Sequence, residues 1–390
     1  MIASVALMTC TILPNTLSII IPTYNERENV CTIAQQISQV LKDDYEILFV
    51  DDSNDDTPEI LQLLAASDSH VRFEHRENER GLGTAVLRGF QIARGSIIAV
   101  MDADLQHPPE LLNTMLAAIK TGADIVIPSR FISGGDDGGL NIWRKLVSVT
   151  ARYMGKFMLK NLRPISDCTS GFFMFRNEII ESVNLQPIGW KILIEILIRG
   201  NYERVIEVPY HFKARNIGES KMSMYEQINY IRHLLRLVKD SPEDRRFYYF
   251  AMVGLSGVFV NMFIYYILTR LHWEVKIAAF ISASIAMLCN FILNDKITWA
   301  NVSSNSIWTR GSKYIITSVI GIGINIMVLH VFYYQLHLNH LLSNLIGISC
   351  AVLWNYSINN LWTWPSINHK NIPIVEKWSI NQKSDFSGQD

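Results

Sequence analysis

The stretch Ile97-Ile98-Ala99-Val100-Met101-Asp102-Ala103-Asp104-Leu105-Gln106-His107-Pro108-Pro109-Glu110 decides the fold. Its apolar, β-branched start reads as a buried strand, two carboxylates one residue apart follow at once, and Pro108 suits the first turn of a helix. The same alternation of strand and helix continues to either side. Residues 18–21, 47–50, 71–73 and 125–127 are further short runs that read as buried strands, and residues 28–41, 57–66, 84–94 and 108–120 are helix-length segments between them. This pattern predicts an α/β domain with a mostly parallel sheet covered on both faces, and ligands at the carboxyl ends of its strands.

Beyond Arg246 the character changes. Residues 247–269, 277–294, 314–334 and 341–362 contain no Lys, Arg, Asp or Glu. At about 1.5 Å per residue each can span a hydrocarbon core of about 30 Å, which predicts an all-α, four-helix transmembrane domain. The whole chain is only 18% charged, against about 25% for a typical globular domain. The membrane part also repeats: Asn290-Phe-Ile-Leu-Asn294 through Trp299 returns as Asn355-Tyr-Ser-Ile-Asn359 through Trp364, and Gly257…Asn261 returns as Gly321…Asn325. Each copy holds two helices, so the copies insert in the same direction, and asparagines at such depth are expected to face the bundle interior. Arg232, Arg236, Lys239, Arg245, Arg246, Lys296, Arg310 and Lys313 outnumber Arg270 and Lys276 on the other side, which predicts both termini and the α/β domain on the cytoplasmic face.

The expected organisation is an N-terminal extension (1–16), the α/β domain (17–222), a juxtamembrane amphipathic helix (223–246), the membrane domain (247–365) and a polar tail (366–390). In the juxtamembrane segment Met224, Ile228, Ile231, Leu235 and Val238 form an apolar face, suited equally to the bilayer surface or to packing on the sheet. Thirty-five basic against 36 acidic residues give a net charge of −1 and argue against a nucleic-acid binder. Five cysteines without a CxxC pair indicate neither a disulfide framework nor a zinc cluster, and the apolar first 13 residues lack the basic start of a signal peptide.

The chemistry concentrates at three strand ends. Asp102 and Asp104 can turn oxygens toward one divalent ion, and hard oxygen donors suit Mg²⁺ or Mn²⁺ with positions left open for a diphosphate. Asp51-Asp52-Ser53-Asn54-Asp55-Asp56-Thr57 offers acceptors for a nucleobase or ribose, with Asp56 or Thr57 as a helix cap. Pro22-Thr-Tyr-Asn-Glu26 brings a ring and a carboxylate to the same edge. Gly81-Leu-Gly83-Thr84-Ala85 lacks the third glycine of a dinucleotide loop. His107 reads as a loop residue, and Trp190, Lys191 and Glu195 either wall the lipid side of the pocket or belong to an ordinary packed helix.

The blocks Pro22–Glu26, Asp102–Pro109, Ser166-Asp-Cys-Thr-Ser-Gly171-Phe-Phe and Gly218-Glu-Ser-Lys221, in this order, resemble those of glycosyltransferase family 2, specifically its polyprenyl- or dolichyl-phosphate mannose or glucose synthases. The tail resembles the GtrA-like membrane domain. The resemblance implies a GT-A-type nucleotide-sugar domain in which Pro22, Tyr24, Glu26, Val50, Asp52, Asp102, Ala103, Asp104, Gln106, Arg130, Arg215 and Lys221 bind the nucleotide sugar. It further implies that Asp102, Asp104 and Gln106 hold Mg²⁺ or Mn²⁺, that Arg130, Arg144 and Ser148 take the acceptor phosphate, and that Asp104 and Arg130 carry catalysis with Asp167 in support. The acidic turn at Asp51 is one residue shorter than the family's usual Asp-Asp-x-Ser-x-Asp-Gly-Thr. Mannose transfer from GDP-mannose to a polyprenyl or dolichyl phosphate by inverting displacement is the expected activity, with UDP-glucose or another donor as the near alternative. A lipid-linked sugar flippase or a nucleotide-sugar-sensing scaffold is the alternative of another class. The Gln-x-x-Arg-Trp segment of processive synthases is absent, and association into a homo-oligomer is left open.

Overall fold

The computed structural model describes residues 12–42, 44–136, 138, 142–212, 224–300, 302, 306–365 and 373–378. The chain forms two compact units: residues up to 238 together with those from 371 onward, and residues 239–370.

The first unit is an α/β layer structure. Strands β1 (Leu13–Thr23), β2 (Tyr45–Asp51), β3 (Val71–His75), β4 (Gly95–Val100), β5 (Ile125–Ser129), β6 (Phe173–Arg176), β7 (Arg204–Pro209) and β8 (Ile374–Lys377) form one sheet in the order β3-β2-β1-β4-β6-β5-β7-β8. Only β6 runs antiparallel to its neighbours. Helices α1 (Val30–Val40), α2 (Thr57–Ser67), α3 (Leu82–Ile92) and α4 (Leu111–Lys120) connect the first five strands as the alternation predicts, with α4 starting after rather than at the Pro108-Pro109 pair. The central strand β1 buries Ile19, Ile20 and Ile21 completely, and full burial of each such side chain contributes about 1.5–3 kcal/mol. β1 pairs with β2 on one side and β4 on the other, so the strand order reverses there. That reversal opens a crevice between the loops after β1 and β4.

Three elements depart from the expected organisation. β1 begins at Leu13, inside the segment taken as an extension. The segment 223–246 is not one helix: α7 (Met224–Asp240) stops, Ser241 caps a new helix by accepting from the Asp244 N–H, and α8 starts at Pro242. The polar C-terminal tail contributes a strand: β8 adds to the edge of β7, Arg204 forms a bidentate pair with Glu376 (2.8 and 3.0 Å) and the Trp378 N–H donates to Glu207 O (2.8 Å).

α5 (Ile142–Met158), α6 (Ile192–Arg199) and α7 complete the first unit. α7 packs on both others: Tyr230 Oη donates to Ala151 O (2.7 Å), and His233 Nε2 lies 2.6 Å from Glu195 Oε2. Its buried side is Asn229, Tyr230, His233, Leu234, Leu237 and Val238, so of the expected apolar stripe Val238 is buried while Ile228, Ile231 and Leu235 remain about half exposed. Glu195 therefore does not wall the pocket. It is sealed between His233, Arg199 Nε (2.6 Å) and the Gln186 N–H (2.7 Å).

The second unit holds α8 (Pro242–Arg270), α9 (Val275–Leu293), α10 (Ile307–His330) and α11 (His340–Ile358), all long and apolar enough to cross a membrane. Its sequence repeat is a structural one. Gly257 lies against the Asn290 amide, and Gly321 against the Asn355 amide, where a Cβ would come within 2.7 Å. α9 and α11 both end in π-helical turns, Asn294–Thr298 and Asn359–Thr363, in which the Thr hydroxyl donates to the Asn carbonyl oxygen (2.8 and 2.7 Å). Trp299 and Trp364 stack at 4.4 Å; Trp299 Nε1 donates to Asn360 (3.2 Å) and Trp364 Nε1 to Asp295 (2.9 Å), so each copy grips the other through equivalent positions. Asn294 and Asn359 are buried, as the cost of an amide in lipid demands.

Burial alone would raise the Glu195 carboxyl, but its bonds to His233 and the Gln186 N–H, with the Arg199 charge, hold it below the usual range. A depressed pKa means stabilisation that is present above the unfolded value, about 4.3, and lost as pH falls through the folded one. Glu195→Ala is expected to destabilise the protein by about 3–5 kcal/mol, since it takes the buried carboxylate away from His233 and Arg199. Thermal melting at pH 7 checks this, and a Tm within a degree of wild type contradicts it.

Candidate active site

The loops after β1 and β2 are locked together before any ligand is considered. Asp51, fully buried, accepts from Thr23 Oγ1 (2.7 Å) and Ser53 Oγ (2.5 Å), and its second oxygen lies 2.7 Å from His75 Nδ1. Asn25 takes a left-handed backbone (φ 55°), donates its N–H to Ser53 Oγ (2.7 Å) and accepts from the Asn54 N–H (3.1 Å). The acidic run is thus divided in its duties. Asp52 receives Arg76 through Nε and Nη2 (2.7 and 2.6 Å) and the Gly81 N–H (3.0 Å), while Asp56 occupies the N-cap of α2 without a side-chain bond and Asp55 accepts from Thr57 N and Oγ1 beside it. Asp56 pairs with Arg27.

Pro22 and Val50 sit side by side in the β1–β2 register and are buried, so they form the floor of the edge rather than its surface. Tyr24 and Glu26 are partly exposed above it. Arg80 lies over the Tyr24 ring at 5.9 Å, and Glu26 accepts from Asn29 Nδ2 (2.7 Å). Arg76 and Arg80 were not singled out by sequence, because neither stands in a block with a distinctive spacing.

Across the crevice, Met101 and Ala103 are buried and anchor the turn after β4, which leaves Asp102, Asp104 and Gln106 partly exposed. Leu105 between them has φ 59°, an uncommon value for a residue with a side chain and a site of stored strain. Asp104 Oδ1 accepts from the Gln106 N–H (3.1 Å). Gly171 borders Asp102 so closely that a Cβ there would lie 2.8 Å from Asp102 Oδ2, so the missing side chain is what gives this carboxylate its room. Among the described residues no three His, Cys, Asp or Glu side chains converge to enclose an ion. Two carboxylates and an amide oxygen instead suit a divalent cation that shares its remaining positions with a ligand. His107 is packed among Phe172, Tyr210 and Phe212; burial pushes its pKa down to about 4, which keeps the ring neutral.

A third group faces this turn. Arg130, just past β5, makes a two-point pair with the fully buried Asp167 (2.8 and 3.2 Å) and lies over Phe131 and Phe212 (5.1 and 5.3 Å). Asp167 is held in turn by Glu207, whose Oε1 accepts from Ser166 N (2.7 Å), Ser166 Oγ (2.6 Å) and Asp167 N (3.2 Å). An acid inside the apolar strand β7 was the available signal for Glu207, and it was missed. Lys191 Nζ donates to Thr169 O (2.9 Å); burial pushes its ammonium pKa down while Asp167 opposes the shift. His107, Tyr210 and Lys191 each feel the charges of Asp102 or Asp104 together with those of Arg130 and Asp167, so the two groups share one site. Ser148 is partly buried on α5, one turn after Arg144, of which only the backbone is described; Arg215 and Lys221 lie outside the described residues.

Comparison with known proteins gives the family of both parts of the chain. Residues 18–183 match the model for glycosyl transferase family 2, and residues 249–364 that for the GtrA/DPMS transmembrane domain. The dolichol-phosphate mannosyltransferase of Pyrococcus furiosus is 41% identical over 349 residues, covering 89% of this chain and 99% of that protein. The polyprenol monophosphomannose synthase of Mycolicibacterium smegmatis is 38% identical over 215 residues, 53% of this chain and 80% of that one. Among solved structures, glucosyl-3-phosphoglycerate synthase from Mycobacterium tuberculosis is 20% identical with a TM-score of 0.43, covering 57% of this chain and 78% of that chain.

If Gly171 makes room for a cation-holding carboxylate, Gly171→Ala should weaken Mn²⁺ binding to the purified chain by about tenfold or more, as disturbance of groups that orient a ligand typically does. Its Tm should move by only a few degrees. Unchanged Mn²⁺ affinity speaks against the cradle.

Proposed function

The chain belongs to glycosyltransferase family 2 and carries a GtrA/DPMS transmembrane domain, and on that premise we propose that it transfers mannose from GDP-mannose to a polyprenyl or dolichyl phosphate at the cytoplasmic membrane face. The observation that carries the reading is the juxtaposition of the acidic turn, cleared by Gly171, with the cationic group around Arg130. One side suits a metal-bound diphosphate and the other a second phosphate.

Tyr24 and Glu26, on a floor of Pro22 and Val50, border the nucleoside; the Asp52–Arg76 pair stiffens that border by tying it to the loop at Gly81. Asp102, Asp104 and Gln106 would hold Mg²⁺ or Mn²⁺, which when bound supplies Lewis-acid neutralisation of the diphosphate charge. Ala103 brings only backbone to this turn, and Arg215 and Lys221 are assigned to the donor phosphates by the family resemblance. Arg130, Arg144 and Ser148 receive the acceptor phosphate. A phosphate monoester carries about −1.5 to −2 charge at pH 7, so its oxygen needs orientation and charge balance more than a general base. In a single displacement that oxygen bonds to the anomeric carbon as the bond to the nucleoside diphosphate breaks, with inversion. Asp167 and Glu207 fix the Arg130 fork from behind.

The membrane placement rests on the four spans and on the Lys/Arg bias beside them. Strands from before and after those spans, β7 and β8, pair in one sheet, which supports an even number of crossings and both flanks on one face. The half-exposed Ile228, Ile231 and Leu235, with Arg232 and Arg236 exposed beside them, suit α7 to the bilayer surface.

Purified protein given labelled GDP-mannose, Mn²⁺ and dolichyl phosphate should form a chloroform-soluble mannolipid, with excess UDP-glucose competing poorly. Asp104→Ala is expected to lower kcat by about 10²–10³, the scale on which loss of one electrostatic stabiliser is felt. Undiminished transfer by that variant removes Asp104 from the chemistry. Preferential transfer from UDP-glucose replaces the donor and leaves the reaction class intact.

A further inference from the structure

Arg152 belongs to no block that the family resemblance singles out, yet its surroundings are those of an anion ligand. Positions 144, 148 and 152 recur at four-residue spacing on α5 and so share one face. The Arg152 guanidinium carbon lies 3.8 Å from the centre of the Phe131 ring, on which Arg130 also rests at 5.1 Å. Nη1 donates to Ser166 O (3.2 Å), one residue before Asp167, and Nε is buried without a partner. No hydrogen bond from Nη2 and no carboxylate at ion-pair distance is found for Arg152 among the described residues.

Charge balance sharpens the point. Asp167 is committed to Arg130 through both oxygens. Burial pushes the Glu207 carboxyl up, against its bonds from Ser166 and the Asp167 N–H, and pushes the neighbouring Cys168 thiol to about 12. Lys156, one turn after Arg152, has its ammonium pKa pushed down by burial, with Arg152 adding to the shift. Among the described residues Arg130, Arg152 and Lys156 stand against Asp167 and Glu207, in a part of the protein where an unpaired charge is costly unless an anion completes the set.

We propose that Arg152 is a further guanidinium of the acceptor-phosphate site, stacked beside Arg130 on Phe131 and donating to an oxygen of the lipid monophosphate. This rests on the transferase reading for the identity of the phosphate. A planar fork held on a ring and anchored at one end is pre-organised to receive an oxyanion. Inorganic phosphate offers the same chemistry without the lipid, and the experiment separates the two.

Full-length wild type, Arg152→Gln and Arg152→Lys are to be compared in lipid nanodiscs, with Tm recorded for each. Two readouts are taken: KM and kcat for dolichyl phosphate and for GDP-mannose, and donor-free binding of dolichyl phosphate against dolichol and inorganic phosphate. Arg152→Gln should raise KM for dolichyl phosphate about tenfold or more with KM for GDP-mannose within about twofold, and Arg152→Lys should recover part of the loss. Binding of dolichyl phosphate should weaken in parallel, while dolichol, which has no phosphate, should bind all three alike. If Arg152→Gln does not fold, the lysine variant decides: wild-type affinity for dolichyl phosphate in both assays overturns the proposal. A fall in kcat and Tm with unchanged KM and binding also overturns it, because that is the result of a purely structural arginine. Arg152-dependent binding of inorganic phosphate but not of dolichyl phosphate overturns the lipid assignment. Arg152-dependent lipid-phosphate binding without any sugar transfer upholds the inference and removes the transferase reading instead.

Discussion

Strand β1 pairs in parallel with β2 on one flank and β4 on the other, and the chemistry of the first unit depends on that position. Its three consecutive isoleucines are sealed on both faces, and its ladders to β2 and β4 hold its register at the centre of the sheet. With the register fixed, the loops after β1 and β4 open into the same crevice, and the Tyr24–Glu26 edge and the Asp102–Gln106 turn come to face one ligand. The buried Asp51 holds the ends of β1, β2 and β3 through Thr23, Ser53 and His75, which makes it a structural acid in a run whose composition suggested ligand binding.

Electrostatics divides the site in two. The acidic turn needs a cation to become useful toward a diphosphate, and Gly171 leaves space for its first carboxylate. The opposite side stacks Arg130 and Arg152 on one aromatic ring, with the Asp167 carboxylate behind Arg130. Glu207 links this side to β7, and β7 is itself lined by the returning strand β8. The membrane unit solves a different problem with equal economy, since its two repeats meet through stacked tryptophans whose indole N–H groups each cross to the other copy.

Much of this was legible in the sequence because the signals were local. Strands β1, β2, β4 and β5 each hold a continuous apolar run, the spans are long and uncharged, and the acidic turn directly follows a buried strand. Strands β6 to β8 were missed for physical reasons: β6 is four residues long and antiparallel, β7 carries the buried Glu207 in its middle, and β8 lies in a polar tail that becomes a strand only by pairing with a distant edge. The inward face of α7 is built around His233 and Tyr230, whose partners Glu195 and Ala151 are 38 and 79 residues away, so the sequence did not point to it. Helical periodicity weighs apolar side chains and is blind to such polar anchors. Arg152 and Arg76 escaped for the same reason, since their significance lies in what they lack or what they face across the fold.

The central claim is that Asp102 and Asp104 hold a divalent cation jointly with a nucleoside diphosphate. Titration of the full-length protein with Mn²⁺, followed by electron paramagnetic resonance with and without GDP, tests it most directly. Shared coordination predicts that GDP tightens Mn²⁺ binding by about tenfold or more, within the usual range of coupling between linked sites, and that Asp102→Asn abolishes the coupling. Mn²⁺ and GDP binding independently of one another, or coupling that survives in Asp102→Asn, contradicts the account.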